Sequence, residues 1–236
     1  MTFLELVNRL KLESGRSGGD VVSVATATGN DLRLVNWVAA AYDKIQRKTD
    51  EWRWMRSTVL ASITASQMAQ APATDMLAQP ADTDPPANFR GFRAPSDDYT
   101  VTILDPANPA AEWPLQWLAY DEFRRRYLVG THEAAPPVNW SVSPDNKLMI
   151  GPTPDIVYHV RFDYRQAVVT LAADADEPAM PAEYHMAIVW EALKSLASFD
   201  NAPEVYTRAR DELDEIYEDL WNDQGPKLII NARPLA

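Results

Sequence analysis

The sequence contains no cysteine, which removes disulfides, thiolate metal sites and cysteine nucleophiles together. The chain stands on packing alone, and nothing in it calls for an oxidising compartment. Glycine is scarce, eight residues against eighteen prolines. Proline stiffens connections and glycine loosens them, so long, stiff, irregular connections are expected. Cations are in the minority, twenty-two Lys and Arg against thirty-four Asp and Glu, for a net charge of -12. That balance repels a polyanion unless the basic residues gather on one face, which disfavours sequence-specific DNA binding. No run approaches the ~20 apolar residues of a membrane span. The opening Met1 to Leu12 carries Glu5, Asn8, Arg9 and Lys11 where a signal peptide needs an unbroken apolar stretch. The expected address is the cytoplasm, or a particle assembled there.

What is present is an ordinary globular composition, 236 residues of which 46% are apolar and 24% charged, enough for one large domain or two small ones with a real core. Thr2 followed by Glu5 is a capping box, and Phe3, Val7 and Leu10 recur at helical spacing. The first helix is therefore expected to run to about Leu12. Ser14 to Gly19 holds three glycines and breaks it, and Val22, Val24 and Thr26 suggest a short extended piece. Gly29, Asn30 and Asp31 open a second helix with Val35, Val38, Tyr42 and Ile45 as its stripe, ending near Asp50. Val59 and Ile63 then suggest a strand.

From Ala65 to Pro95 the text is Ala, Gln, Pro, Asp and Thr without periodicity, a long surface loop or hairpin-like excursion. Tyr99, Val101 and Ile103 alternate as a strand that Asp105, Pro106 and Pro109 should stop. Leu115, Trp117 and Leu118 offer another. Asp121 to Leu128 reads as a short helix ended by Gly130, with Phe123 and Tyr127 inward. Val138–Ser141 and Lys147–Ile150 flank the turn residues Ser143, Pro144, Asp145 and Asn146, which is a hairpin. Ile156, Tyr158, Val160, Phe162 and Tyr164 occupy every second position, the clearest strand in the chain.

After an acidic linker, Asp174 to Pro181, two closing helices are expected. One begins at Pro181 and buries Tyr184, Ile188, Leu193 and Leu196; the other begins near Pro203 with Tyr206, Ala209, Leu213, Ile216 and Leu220 and ends by Gly225 and Pro226. Helices thus bracket a β-rich middle, an α+β chain. The last stretch, Lys227 to Ala236, is an apolar strip that cannot make a stable helix and has nothing of its own to pack against. Charge is unevenly spread: residues 1–56 carry 9 basic and 7 acidic groups, 57–180 carry 8 and 16, and 181–236 carry 5 and 11. The surface is electrostatically two-ended, a polarity suited to stacked or ring-like assembly.

Enzyme chemistry finds little support. His132, His159 and His185 lie in different segments, without the i, i+4 spacing of a helical zinc pair, and His159, on a polar strand face, and His185, at a helix start, read as surface or capping residues. Asp174, Asp176 and Glu177 imitate part of a calcium loop but lack its glycine and distant glutamate. Neither a phosphate-binding glycine loop nor a G-x-S-x-G elbow occurs. Asp97, Asp98 or Glu112 near Trp113 and Trp117 would be a thin basis for a glycosidase. The sequon at Asn139, Trp140 and Ser141 reads as chance, and the Arg124–Arg126 run points in three directions as a solvated or interface face. Trp37, Tyr42, Tyr158 and Tyr184 fall on apolar faces, so most aromatics are expected in the core. No catalytic, cofactor or metal residue is assigned.

Several stretches together carry a resemblance. They are the Thr2-Phe3-Leu4-Glu5-Leu6-Val7-Asn8-Arg9-Leu10 helix, then Leu34-Val35-Asn36-Trp37-Val38 running to Ile45-Gln46, and Trp52-Arg53-Trp54-Met55. Further on come Tyr120-Asp121-Glu122-Phe123-Arg124, the strands around Leu148-Met149-Ile150 and Tyr158, and Pro181-Ala182-Glu183-Tyr184-His185 leading into Ile188-Val189-Trp190-Glu191-Ala192-Leu193. In this order and spacing, over nearly the whole chain, the sequence resembles the head-to-tail adaptor (connector) proteins of tailed bacteriophages, which dock beneath the portal ring.

The resemblance implies a structural virion protein at the neck between capsid and tail. It implies a mainly helical bundle built from residues 1–56 and 181–224, with a β-rich insertion at 57–180 and an extended tail at 225–236. Such proteins form rings, usually dodecameric, bound to the portal protein and to downstream neck or tail proteins. DNA passes through the lumen without specific binding. On that reading the acids of the closing helix, Asp211, Glu212, Asp214, Glu215, Glu218 and Asp219, line or approach the channel, where repulsion keeps the duplex from sticking. The tail residues Lys227, Leu228, Ile229, Ile230, Arg233, Pro234 and Leu235 dock on the portal. Two alternatives stand beside it: a stopper or tail-completion protein that meets the tail tube first, and a carbohydrate-binding or glycoside-active protein using Trp113, Trp117, Trp140 and nearby acids.

Overall fold

Thr2 and Glu5 close the capping box expected of them, the Glu5 N–H donating to Thr2 Oγ1 and the Thr2 N–H to Glu5 Oε2. A computed structural model describes residues 1–49, 51–71, 77–78, 88–93 and 101–226 of the chain. In order the elements are helices α1 (Phe3–Glu13) and α2 (Gly29–Arg47), a 3-10 turn at Arg53–Met55, and strands β1 (Arg56–Ser62), β2 (Ala69–Gln70), β3 (Leu77–Ala78) and β4 (Phe89–Phe92). Next are β5 (Thr102–Asp105), β6 (Asn108–Pro114), β7 (Gln116–Trp117), and α3 (Tyr120–Phe123) with a π turn to Leu128. The chain continues with β8 (Asn139–Val142), β9 (Leu148–Gly151), β10 (His159–Gln166), a second 3-10 turn at Ala182–Tyr184, α4 (His185–Phe199) and α5 (Pro203–Gln224). The fold is α+β. It divides into two units, Met1–Met55 with Val168–Ala236, and Arg56–Ala167.

In the helical unit α4 is apolar nearly all round, with Ala187, Ile188, Val189, Trp190, Ala192, Leu193 and Leu196 all buried. A helix of that kind needs neighbours on every side, and α1, α2 and α5 each pack on it. They contribute Phe3, Leu6, Val7 and Leu10, then Leu34, Val38, Tyr42 and Ile45, then Ala209, Leu213 and Leu220. Each large side chain so enclosed contributes ~1.5–3 kcal/mol. Residues 168–180, which the sequence groups with the β-rich middle, lie in this unit, where Leu171 and Met180 join the helical core. Tyr184 and Ile216 are only half-buried and Tyr206 is exposed.

The extended piece expected at Val22, Val24 and Thr26 does not form. Its backbone groups are taken by side chains instead of a neighbouring strand: Asn8 accepts from and donates to Val21, and Asp174 accepts from the Val24 N–H at 2.6 Å. Asp176 likewise accepts the Ala173 and Ala172 N–H groups, which hold its carboxyl below the usual carboxylate range. Two carboxylates of the calcium-like run are thus committed to backbone. His185 is no surface residue but is buried at 3% exposure, because the 3-10 turn before α4 folds it inward. Its Nδ1 faces the Met1 amine at 2.8 Å and its Nε2–H donates to the Met180 carbonyl at 3.0 Å. The second helix stops at Arg47; Asp50 lies outside the described residues.

In the β-rich unit, β10 is the organising strand. It pairs antiparallel with β1 from Arg56↔Arg165 to Ser62↔His159 on one side, and with β5 and β4 on the other. Val160, Phe162 and Tyr164 are buried as the alternation requires. The strand begins only at His159, leaving Ile156 exposed. Asp105, Pro106 and Pro109 do not end the sheet: the chain turns there and returns as β6, an outer strand of the sheet order β3-β1-β10-β5-β6. A second sheet runs β2-β9-β8-β7, with the expected β8–β9 hairpin and Asn146 at positive φ in its turn. Phe123 and Tyr127 point inward as the four-residue spacing predicts. Much of the excursion 65–95, and Tyr99, lie outside the described residues.

Candidate assembly surface

Helix α5 starts at Pro203, whose missing N–H costs nothing in a first turn, and its Gly225 N–H caps it onto the Trp221 carbonyl. Its core stripe, Ala209, Leu213 and Leu220, turns every intervening acid outward. Asp211, Glu212, Asp214, Glu215, Glu218 and Asp219 are all exposed, so the structure brings these six sequence candidates onto one helix surface. The whole helix carries eight acids against Arg208 and Arg210. Arg210 lies 3.3 Å from Asp211 and 3.9 Å from Asp214, and Arg208 is turned away to Glu13 at 2.8 Å. Among the described residues Glu212, Glu215, Glu218 and Asp219 have no cation in ion-pair reach. The face is therefore a concentrated, largely uncompensated negative field.

One flank of α5 borders the end of α2. The Lys48 ammonium sits 3.4 Å from the centroid of the Tyr217 ring, in an open groove also lined by Asp214, Glu218, Trp221 and Asn222. Burial holds Lys48 below the usual lysine range and pushes the Tyr217 hydroxyl up. The other flank borders the turn before α4, where Asp219 shares a groove with Glu183, Tyr184 and Asp223. Beneath α5, Trp221 meets buried Trp52 edge-on at 5.3 Å, and Trp52 stacks on Trp54 at 4.5 Å.

Sequence reasoning missed the outward face of α2. Arg33, Asn36, Ala40, Lys44 and Arg47 recur at spacings of three and four and all are exposed. Arg33 lies over the Phe199 ring at 4.6 Å, and Trp37 meets the same ring at 5.7 Å. Phe199 is 57% exposed, so this is an aromatic patch on the surface rather than core. The signal was available in the i, i+3, i+4 recurrence of cations, which a search for apolar stripes passes over.

Of the tryptophans named for a carbohydrate-binding alternative, Trp117 stays exposed and the other two are engaged. Trp140 is buried, and Trp113 is half-buried with its indole N–H donating to the Pro137 carbonyl. Glu112 is engaged by Arg161 and by the Thr102 hydroxyl. Asn139 of the sequon is buried, accepting from the Tyr127 hydroxyl at 2.6 Å. His159 sits on the polar strand face with Ser62, as read, and Arg124–Arg126 are exposed. Asp97 and Asp98 lie outside the described residues, as do Lys227, Leu228, Ile229, Ile230, Arg233, Pro234 and Leu235 of the tail.

The family model for SU10 adaptor protein matches residues 1–229. The chain belongs to the SU10 adaptor protein family. The match takes in every stretch on which the resemblance to phage head-to-tail adaptors was drawn, from Thr2 through Leu193, and bears that resemblance out. No curated protein matches the chain. For a phage adaptor the relevant chemistry is that of surfaces, which makes the opposed charge of α5 and α2 the features of interest.

Proposed function

We propose that this chain is a structural component of the phage neck, forming a ring beneath the portal that joins capsid to tail and leaves a channel for DNA. In this reading α1, α2, α4 and α5 form the bundle that makes up the body of the ring, with the β-rich middle as an insertion in it. Copies are added in the host cytoplasm, a dodecamer matching the usual adaptor ring. The observation that carries the reading is the exposed carboxylate row on α5, in which Arg210 beside Asp211 and Asp214 is the one cation in ion-pair reach among the described residues, in a chain of this family. A conduit for DNA has to repel phosphate at every radius where the duplex would otherwise stick, and carboxylates do so without specificity. The role needs no catalytic residue and no cofactor.

The tail from Lys227 to Leu235 supports portal docking by its composition, Leu228, Ile229 and Ile230 between the cations Lys227 and Arg233. Imaging the protein mixed with the portal ring of the same phage tests both parts. Density for a ring of adaptor beneath the portal, with α5 facing the lumen, is expected; α5 on the outer rim would overturn the channel assignment. Removing the residues after Gly225 should leave a folded protein that no longer joins portal, and unchanged joining would defeat the docking role. A stopper or tail-completion protein would instead bind the tail tube and ignore portal.

A further inference from the structure

The six carboxylates of α5 cover too wide an arc to serve one surface. At 100° per residue they run from Asp214 through Glu218, Asp211, Glu215 and Asp219 to Glu212, about 160° of the helix. The Asp214 and Glu218 edge borders the chain's own Lys48, at the end of α2. The Glu212, Glu215 and Asp219 edge turns away from it, and among the described residues no cation pairs with these three. The same unit presents an opposite surface elsewhere. On the outward face of α2 stand Arg33, Lys44 and Arg47, with the short Asn36 and Ala40 between them and exposed Phe199 and Leu32 alongside. Arg33 lies over the Phe199 ring with no carboxylate in ion-pair reach among the described residues, while Lys44 reaches Glu191 of α4 and Arg47 sits 2.9 Å from Asp43 on its own helix, so Arg33 is the least compensated of the three. Lys48, at the end of α2, faces the Tyr217, Asp214 and Glu218 side of α5, while Asp219 borders the groove on the other flank with Glu183 and Tyr184, so the Glu212, Glu215 and Asp219 edge lies on the flank of α5 away from α2.

Two complementary patches on different flanks of one subunit define a head-to-tail contact, which propagates around a rotation axis and closes into a ring when the rotation divides the full turn evenly. We infer that the neighbour in the assembly is a second copy of this chain, with the Glu212, Glu215 and Asp219 edge of α5 seated on the outward face of α2. Opposite potentials set the register and suppress the wrong pairings, α2 on α2 and α5 on α5. Asn36 and Ala40 let a partner helix approach closely, and Trp37 with Phe199 supplies apolar area at one end. The Asp211, Asp214 and Glu218 edge is left for the lumen. The inference rests on the ring reading and specifies which surfaces make the ring.

A reciprocal charge reversal tests it. One variant carries Arg33→Glu and Arg47→Glu; the other carries Glu212→Lys, Glu215→Lys and Asp219→Lys. All substituted side chains are exposed, and circular dichroism with thermal melting confirms that each variant folds. Each is mixed with portal rings, and the occupied fraction is counted by electron microscopy. Either variant alone should occupy at least tenfold fewer portals than wild type. An equimolar mixture of the two should recover occupancy, because an alternating ring restores every acid-to-base contact. Wild-type occupancy by either variant alone, or failure of the mixture to recover, overturns the α2–α5 contact while leaving the ring intact. If the wild-type chain forms no ring on portal, the ring reading itself falls.

Discussion

The Tyr127 ring lies against Gly151 so closely that a Cβ on that glycine would fall 2.6 Å from Tyr127 Cδ2. Gly151 ends β9, and Tyr127 closes the π turn after α3, its hydroxyl donating to buried Asn139. Gly151→Ala should therefore push the ring out and strand the Asn139 oxygen, costing about 1–3 kcal/mol of stability in the β-rich unit. Urea denaturation of the variant checks this. A cost below about 0.5 kcal/mol would mean that the turn relaxes freely.

Glu191 is an acid buried at 4% exposure within α4. Lys44 of α2 and Lys194 of α4 both donate to it. The pairing is asymmetric, since Lys44 is largely solvated and can return to water while Glu191 cannot. Glu191→Gln should cost about 1–2 kcal/mol. Replacing Lys44 and Lys194 with Met leaves a buried, unpaired carboxylate and should cost more, about 3–5 kcal/mol. The order of the two chemical-denaturation midpoints is the measurement, and the reverse order would show that the lysines are dispensable.

His185 makes stability depend on pH. Burial, ahead of the amine at Met1, holds its proton affinity below the ordinary value of 6.5, so the native state keeps the ring neutral. Once unfolded, the ring binds a proton near 6.5. Below that pH the unfolded state holds more protons and gains on the native state. Stability should be unaffected by this group above about pH 7 and fall as pH drops through 6.5 toward the depressed native value. Denaturation series between pH 8 and pH 5 should show this slope in the wild type and a shallower one in His185→Gln. Parallel slopes would remove His185 as the cause.

The lumen assignment predicts a gain of stickiness. With Asp211, Asp214 and Glu218 changed to Lys, assembled rings should retain duplex DNA in a manner that weakens steeply with added salt, as phosphate contacts do. Filter binding of short duplex to wild-type and variant rings measures it. Equal, negligible retention by both would place that edge of α5 outside the channel.

Where one side-chain pattern dictated one partner surface, the sequence was sufficient. The α1 capping box, the Val160, Phe162 and Tyr164 alternation and the Ser143–Asn146 turn each specify their own local geometry, and all appear as read. Segments governed by distant partners were not legible. Val22 to Thr26 has strand residues but no strand beside it, because Asn8 and Asp174 satisfy the neighbouring backbone groups first. β6 was hidden by its prolines, which an outer strand tolerates and a central one does not. His185 looked like a helix-start residue because nothing local announces that Met180 will fold over it. Of the candidate surface, the acids of α5 could be read directly from the chain. The α2 face could not, since which residues of α2 stay exposed depends on how α4 packs along it, with Arg33 and Lys44 at the margin of that contact.

β6 ends its sheet with prolines at positions 109 and 114, two residues that bring no N–H to a ladder. In the proposed ring, identical chains side by side would bring like strand margins together, the condition under which unprotected sheet edges pair and aggregate. A margin that cannot donate at those two points is a poor template for such growth. A ring assembled as proposed above would then recognise its neighbours through helices while its β-rich units stay unfused.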